Sequence, residues 1–174
     1  MRLFVAFELP GEMLDALAET SALLRGSVRG RFVARDSLHV TLAFLGEVGP
    51  YQVNDVITAL EEGCAGFGAF EATLGELGSF GRRSSATLWQ GFRDADSMKQ
   101  IAESVRQALE ARGLSFDDKP FRAHVTLMRA VDLRSGELPM PVVAGGVIDT
   151  ATLFKSDLSG PHPVYEPLHS VKLL

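Results

Sequence analysis

The chain has 174 residues, 46% of them hydrophobic and 22% charged, with a formal net charge of −5 and a single cysteine. That length builds one domain, or two small lobes sharing a core, and the composition excludes a disordered chain. A net acidic protein is not expected to grip long duplexes, and a lone Cys64 excludes an internal disulfide or a Cys-based metal site.

No apolar run has the length needed to cross a bilayer. The opening Met1–Phe7 is too short for a signal peptide and leads straight into Glu8. The expectation is a monomer in a reducing cytoplasm, with no membrane partner. Arginine outnumbers lysine, which suits planar phosphate recognition and equally reflects a GC-rich coding bias.

Taken in order, Leu3 to Phe7 is an apolar run of strand length. Pro10 and Gly11 open a segment in which Met13, Leu14, Leu17, Ala18 and Leu24 keep helical spacing. Gly26 to Arg35 reads as a loop carrying Arg29, Arg31 and Arg35, and a strand follows that ends at Gly46. Val53, Val56, Ile57 and Leu60 mark a second helix, begun near Pro50 and stopped around Gly63. Phe67 to Phe80 alternates but is rich in glycine, so a strand with a turn or bulge is predicted. Gly81–Ser85 is a loop and Ala86–Phe92 a strand. Asp94 or Asp96 can cap a third helix with the face Met98, Ile101, Ala102, Val105 and Leu109, closed by Gly113. A further strand surrounds His124, and after a turn at Pro139–Pro141 the last two strands are predicted over Val142–Phe154 and Val164–Leu174. The expected class is α+β.

Two stretches stand out, Leu38-His39-Val40-Thr41-Leu42 and Ala123-His124-Val125-Thr126-Leu127. Alternation at period two is the mark of a half-buried strand. Leu38, Val40, Leu42 and Phe44 then face a core, while His39 and Thr41 point the other way, about 7 Å apart. His124 and Thr126 repeat the arrangement. The segment from Leu3 to His39 has the same length and the same order of elements as the segment from Leu88 to His124. Two similar lobes facing each other would bring the four polar side chains to one central cleft.

Two facing imidazoles can serve as general base and general acid in one step, and two hydroxyls can hold the non-bridging oxygens of a phosphate. The chain has no glycine-rich phosphate loop and no carboxylate cluster for a two-metal site. No His-x-His or His-x₃-His spacing supports a histidine metal site either. Metal-free displacement at a phosphodiester fits these residues.

On these two motifs the chain resembles the 2H phosphoesterases, and within them the RNA 2′,3′-cyclic phosphodiesterases, formerly 2′-5′ RNA ligases. The opening Arg2–Phe7, the run Leu38–Gly46, the run Phe121–Arg129 and the tail at Tyr165–Leu168 carry the likeness. The resemblance implies a bilobal duplicated α+β fold, two antiparallel sheets facing a central cleft with helices packed outside, in which the whole of 1–174 is one domain. It implies hydrolysis of an RNA or nucleotide 2′,3′-cyclic phosphate to a 2′-phosphomonoester, without metal or ATP. By the same analogy His39 is the acid that protonates the leaving 3′ oxygen and His124 the base that activates water. Thr41, Thr126 and Arg129 are the substrate-binding candidates. Strict alternation puts Arg129 on the face of Val125 and Leu127, so its candidacy requires the strand to bend or end by Met128. The family usually has proline before the second histidine, where Ala123 stands here. Two other readings remain open: a 2′-5′ oligonucleotide phosphodiesterase or ligase, and a non-catalytic module that binds RNA ends.

The remaining candidates carry plainer expectations. His162, in the turn Gly160-Pro161-His162-Pro163, and His169 are assigned structural roles, and Arg82 and Arg83 a solvated loop. Phe80, Phe116, Phe121 and Phe154 are assigned to the core. Arg29, Arg31 and Arg35 are balanced between solvent and RNA, because their loop leads into the His39 strand.

Overall fold

The computed structural model describes residues 1–174 as nine strands and three α-helices. In chain order these are β1 (Arg2–Phe7), α1 (Gly11–Arg25), β2 (Arg31–Phe32), β3 (Val40–Glu47), α2 (Val53–Cys64), β4 (Phe70–Phe80), β5 (Ala86–Phe92), α3 (Asp96–Ala111), β6 (His124–Val131), β7 (Gly145–Ile148), β8 (Thr150–Asp157) and β9 (Val164–Lys172). They form two antiparallel sheets, ordered β3-β1-β8-β9 and β2-β6-β5-β4-β7. The α+β class expected from the sequence is what the chain adopts. The repeat is visible in the topology: β1–α1–β3 in one half corresponds to β5–α3–β6 in the other. Each histidine-bearing strand lies beside the strand that opens its repeat.

Both histidine strands depart from simple alternation at the same place. Along β1 and β3 the register steps from Val5↔Ala43 to Ala6↔Thr41, leaving Leu42 as an extra residue. Along β5 and β6 it steps from Leu88↔Met128 to Trp89↔Thr126, leaving Leu127 extra. These are β-bulges, each placing two consecutive apolar residues inward, Leu42 with Ala43 and Leu127 with Met128. A bulge leaves main-chain groups out of the ladder, and such groups need partners when buried. The Leu42 carbonyl accepts from Arg106 Nε at 3.0 Å. The Leu127 carbonyl accepts from the Val33 N–H at 2.9 Å. Beyond each bulge the faces exchange. Phe44, expected in the core, is instead half-buried beneath the Arg2 guanidinium, 4.6 Å from its ring centroid.

One continuous cluster of 38 buried residues draws on both sheets and all three helices, so the halves share a core. The α3 face is the one its spacing predicts: Met98, Ile101, Ala102, Val105 and Leu109 are all buried. Burying Met98, Ile101, Val105 and Leu109 contributes roughly 1.5–3 kcal/mol each. Asp94 accepts from the Asp96 N–H at the helix start. At its end Gly113 adopts φ +69°, and the N–H groups of Gly113 and Leu114 close onto the carbonyls of Glu110 and Leu109, a Schellman motif. α2 ends at Cys64, around Gly63 as its spacing predicts. Gly63 lies inside the helix against α3, where an added Cβ would fall 2.6 Å from Val105 Cα. On α1 the buried face includes Ala16 and Thr20, while Ala18 is exposed.

Two further expectations change. The loop from Gly26 to Arg35 contains β2, a two-residue strand that pairs Arg31 with Arg129 and Phe32 with Met128 at the β6 bulge. Val142–Phe154 is not one strand. Val142 is tied to buried polar side chains, its N–H donating to Thr20 Oγ1 and its carbonyl accepting from Gln90 Nε2. Then β7 pairs with β4, and after Asp149 the chain crosses to the other sheet as β8. The irregularity predicted in Phe67–Phe80 is present as a register shift in β4 between Leu74 and Leu77. No helix is long and apolar enough to cross a membrane.

Candidate active site

His39 immediately precedes β3 and His124 opens β6. Each imidazole is held by the main chain two residues before it. His39 Nδ1–H donates to the Ser37 carbonyl at 2.7 Å, and His124 Nδ1–H to the Arg122 carbonyl at 2.6 Å. A carbonyl only accepts, so both rings carry their proton on Nδ1 when neutral and leave Nε2 as the basic nitrogen. His39 Nε2 lies 2.9 Å from Thr41 Oγ1, whose hydroxyl donates to it while the ring is neutral.

Aromatic rings hold both imidazoles. His39 lies against Phe4 at 4.9 Å between centroids, with Tyr165 edge-on at 5.4 Å. His124 meets Phe80 at 5.1 Å and Trp89 at 5.8 Å. Trp89 itself lies over Gly78 of the neighbouring strand, where a Cβ would fall 2.3 Å from the indole. Only glycine lets the indole lie in that position beside His124.

The two histidines, Thr41, Thr126 and Arg129 all line one cavity of about 160 Å³. Arg129 reaches it through the Leu127 bulge, which turns the residue out of the core and onto the face of His124 and Thr126. It makes no ion pair within the chain, and the cavity lining includes no carboxylate. Ser37, Thr87 and Tyr165 complete the polar lining. Thr87 shares a face with Trp89 in the alternating burial of β5, and that pattern is the signal that could have found it. Tyr165 comes from β9, in the tail Tyr165–Leu168 that the sequence singles out without a site role.

Burial pushes the His39 imidazole down from 6.5 to about 4, opposed by its bond to the Ser37 carbonyl and reinforced by the nearby charges of Arg129 and His124. His124 is lowered by burial as well, with Arg122 and Arg129 adding to the effect against the bond to the Arg122 carbonyl. Both rings are therefore neutral near pH 7 until an anion enters and favours their charged forms. A neutral base, an acid that an anion can charge and one unpaired guanidinium suit phosphoryl chemistry. Cys64 has no part in it, since burial raises its thiol to about 11. No group of three His, Cys, Asp or Glu side chains is arranged to hold a metal ion.

The other candidates separate clearly. His169 Nε2 is 2.9 Å from Glu61 Oε1, linking β9 to α2, as a structural role requires. Arg83 is not simply solvated, because its Nη2 donates to the Leu133 carbonyl at 2.6 Å. Phe80 is not core: it is 36% exposed beside Trp89 and His124, with the Arg122 guanidinium 5.9 Å from its centroid. Phe116 and Phe121 pack against the core as expected, and Phe154 stacks on Phe4 at 5.3 Å. Arg31 and Arg35 line a groove beside the cavity, whereas Arg29 does not.

Residues 13–142 match the model of the 2′-5′ RNA ligase superfamily. The chain is 32% identical to the RNA 2′,3′-cyclic phosphodiesterase of Thermus thermophilus, over 99% of this chain and 90% of that one. A Geobacillus stearothermophilus relative of the same name is 31% identical, and there the match spans only 41% of its length. Among solved structures, TT0787 of Thermus thermophilus superposes with a TM-score of 0.85 at 28% identity, covering 99% and 98% of the two chains. Escherichia coli LigT complexed with 3′-AMP gives 0.82 at 29% identity, covering 99% and 97%.

Proposed function

The chain belongs to the 2′-5′ RNA ligase superfamily, and we propose that it acts as an RNA 2′,3′-cyclic phosphodiesterase through its paired histidines, without a metal. The observation that supports this reading is the matched pair of imidazoles. Both are held through Nδ1 by a main-chain carbonyl, and both line the same carboxylate-free cavity. The terminal 2′,3′-cyclic phosphate of an RNA or nucleotide is the substrate, bound by Thr41, Thr126 and Arg129. His124 Nε2 takes a proton from water as the water oxygen attacks phosphorus. The bond from phosphorus to the 3′ oxygen breaks, and His39 Nε2–H gives that oxygen its proton. The products are a 3′-hydroxyl and a 2′-phosphomonoester, and solvent exchange restores the two protonation states. On this reading residues 1–174 act as one domain in the cytoplasm.

The defining experiment is product analysis with 2′,3′-cyclic AMP in excess chelator. The expected outcome is adenosine 2′-phosphate at the rate seen without chelator. Loss of activity on EDTA dialysis with recovery on adding a divalent ion would refute the metal-free mechanism, and a 3′-phosphate product would reverse the assigned leaving oxygen.

The pH profile is a second test. Catalysis needs one imidazole protonated and the other neutral, so kcat/KM should be bell-shaped and belong to the coupled pair. Because both rings are lowered in the free protein, the maximum of kcat/KM should lie below pH 6.5. Bound phosphate favours both charged forms, so the kcat profile should lie at higher pH than that of kcat/KM. A rate rising monotonically into alkaline pH would exclude a histidine base.

A further inference from the structure

A second concavity, of about 590 Å³, adjoins the first and shares Val33, Ser37, Arg129 and Tyr165 with it. It runs between α1, the β2 segment and the Pro161–Pro163 turn. Although the protein carries 22 acidic against 17 basic residues, four arginines and His162 line this groove and no carboxylate does. Arg25 lies over the Phe32 ring at 4.2 Å, a flat cationic and aromatic surface, and Tyr165 stands at the junction with the cavity. Arg31 is exposed and makes no ion pair. Arg35 is held at 2.8 Å by Asp15, the one acidic partner of the cluster, which is itself outside the lining.

We propose that this groove takes the RNA strand on the 5′ side of the reacting end, so that the preferred substrate is an oligoribonucleotide ending in a 2′,3′-cyclic phosphate rather than a cyclic mononucleotide. The inference rests on the phosphodiesterase reading, because it assumes that the cyclic phosphate sits between the histidines. Two observations select this occupant. The groove adjoins the cavity across four shared lining residues, so it lies next to where a chain leaves the terminal ribose. Its lining also combines what a single strand offers partners for: arginines for successive phosphates and a ring surface for a base. An acidic protein that meets RNA at one end only needs a local basic path of this kind, not a basic surface.

The test compares uridine 2′,3′-cyclic monophosphate with a 5′-fluorescein hexauridylate ending in 2′,3′-cyclic phosphate. The hexamer should have a kcat/KM at least about fivefold higher, consistent with one base stack of 1–3 kcal/mol by the usual alanine-substitution range. Binding is read separately by anisotropy of the same hexamer ending in a 3′-phosphate, which needs no turnover. Its affinity should fall with salt, and Arg25→Gln with Arg31→Gln should lower the log–log slope by about 1.4, near 0.7 for each phosphate no longer neutralised. The same pair should reduce the hexamer preference. Arg31→Gln alone, at an exposed side chain, should lower the slope by about 0.7 and guards against misfolding of the pair. Equal kcat/KM for the two substrates, or a slope untouched by both variants, would overturn the groove while leaving the phosphodiesterase standing. A hexamer bound with the expected slopes, but with neither cyclic substrate hydrolysed, would support the groove and refute the activity.

Discussion

Replacing His39 or His124 with alanine is expected to lower kcat/KM on a 2′,3′-cyclic nucleotide by about 10²–10⁴-fold, the usual worth of one general acid or base. The double variant should lose little more than the worse single one, because an acid without its base has no concerted transfer to complete. Near-normal turnover by either folded variant would end the paired-histidine mechanism. His39 also offers a readout that is independent of turnover. Its imidazole titrates near 6.5 in the unfolded chain and is pushed down to about 4 by burial, so between those values the unfolded chain binds the extra proton. The native state therefore loses stability as pH falls from 6.5 towards 4. His39→Ala removes that contribution, and its Tm should decline less steeply over this window than the parent's, whatever cavity the lost ring leaves beside Phe4. An identical decline in both proteins would mean that the ring is not held neutral.

Thr41→Val and Thr126→Val should each cost about 1.5–3 kcal/mol of transition-state stabilisation, roughly 10- to 150-fold in kcat/KM, because each removes a hydrogen bond to a charged phosphate. Valine keeps the branched shape and the strand preference, so the loss reports the hydroxyl. The two should not be equal. Thr41 also donates to His39 Nε2 at 2.9 Å, whereas Thr126 has no such bond to His124. Thr41→Val thus disturbs the imidazole as well as the phosphate, and its effect should be the larger. If both valine variants turned over like the parent, the hydroxyls would have no place in phosphate binding.

The elements that position these residues differ in how much of them the letters reveal. The helical faces of α2 and α3 and the two His-x-Thr strands follow from apolar spacing, since burial enforces one period along each element. Arg129 shows where that reasoning stops. Counting by twos from His124 puts it among core residues, and only an extra residue at Leu127 carries it to the cavity. The inserted residue is as apolar as its neighbours, so nothing in composition marks it. What marks it is adjacency, Leu127 beside Met128 and Leu42 beside Ala43, in strands that otherwise alternate. Phe44 is misplaced by the same count for the same reason. The break after Ile148 is hidden differently. Buried Gln90 and Thr20, distant in sequence, hold the start of that segment, and β4 and β1 then claim its two halves for different sheets. Hydrophobicity alone assigns Phe80 inward, yet the glycine-bearing end of β4 leaves it partly in solvent beside His124.

The carbonyls of Ser37 and Arg122 set both imidazoles through atoms that every residue possesses. In many histidine sites the orienting partner is a carboxylate, which one codon change can delete and whose charge strengthens the imidazole as a base. Here no amino-acid substitution at position 37 or 122 can delete the acceptor. Short of proline or a local refolding, each ring keeps its tautomer through neutral drift at its neighbour. A side-chain scan would accordingly find no third member behind either histidine. Replacing the peptide unit itself, by semisynthesis with an ester or thioamide, is the perturbation that reaches it. A neutral carbonyl also orients without adding a full negative charge, and its bond raises each imidazole's proton affinity by less than burial lowers it. The orienting half of the arrangement therefore lies outside the reach of side-chain substitution.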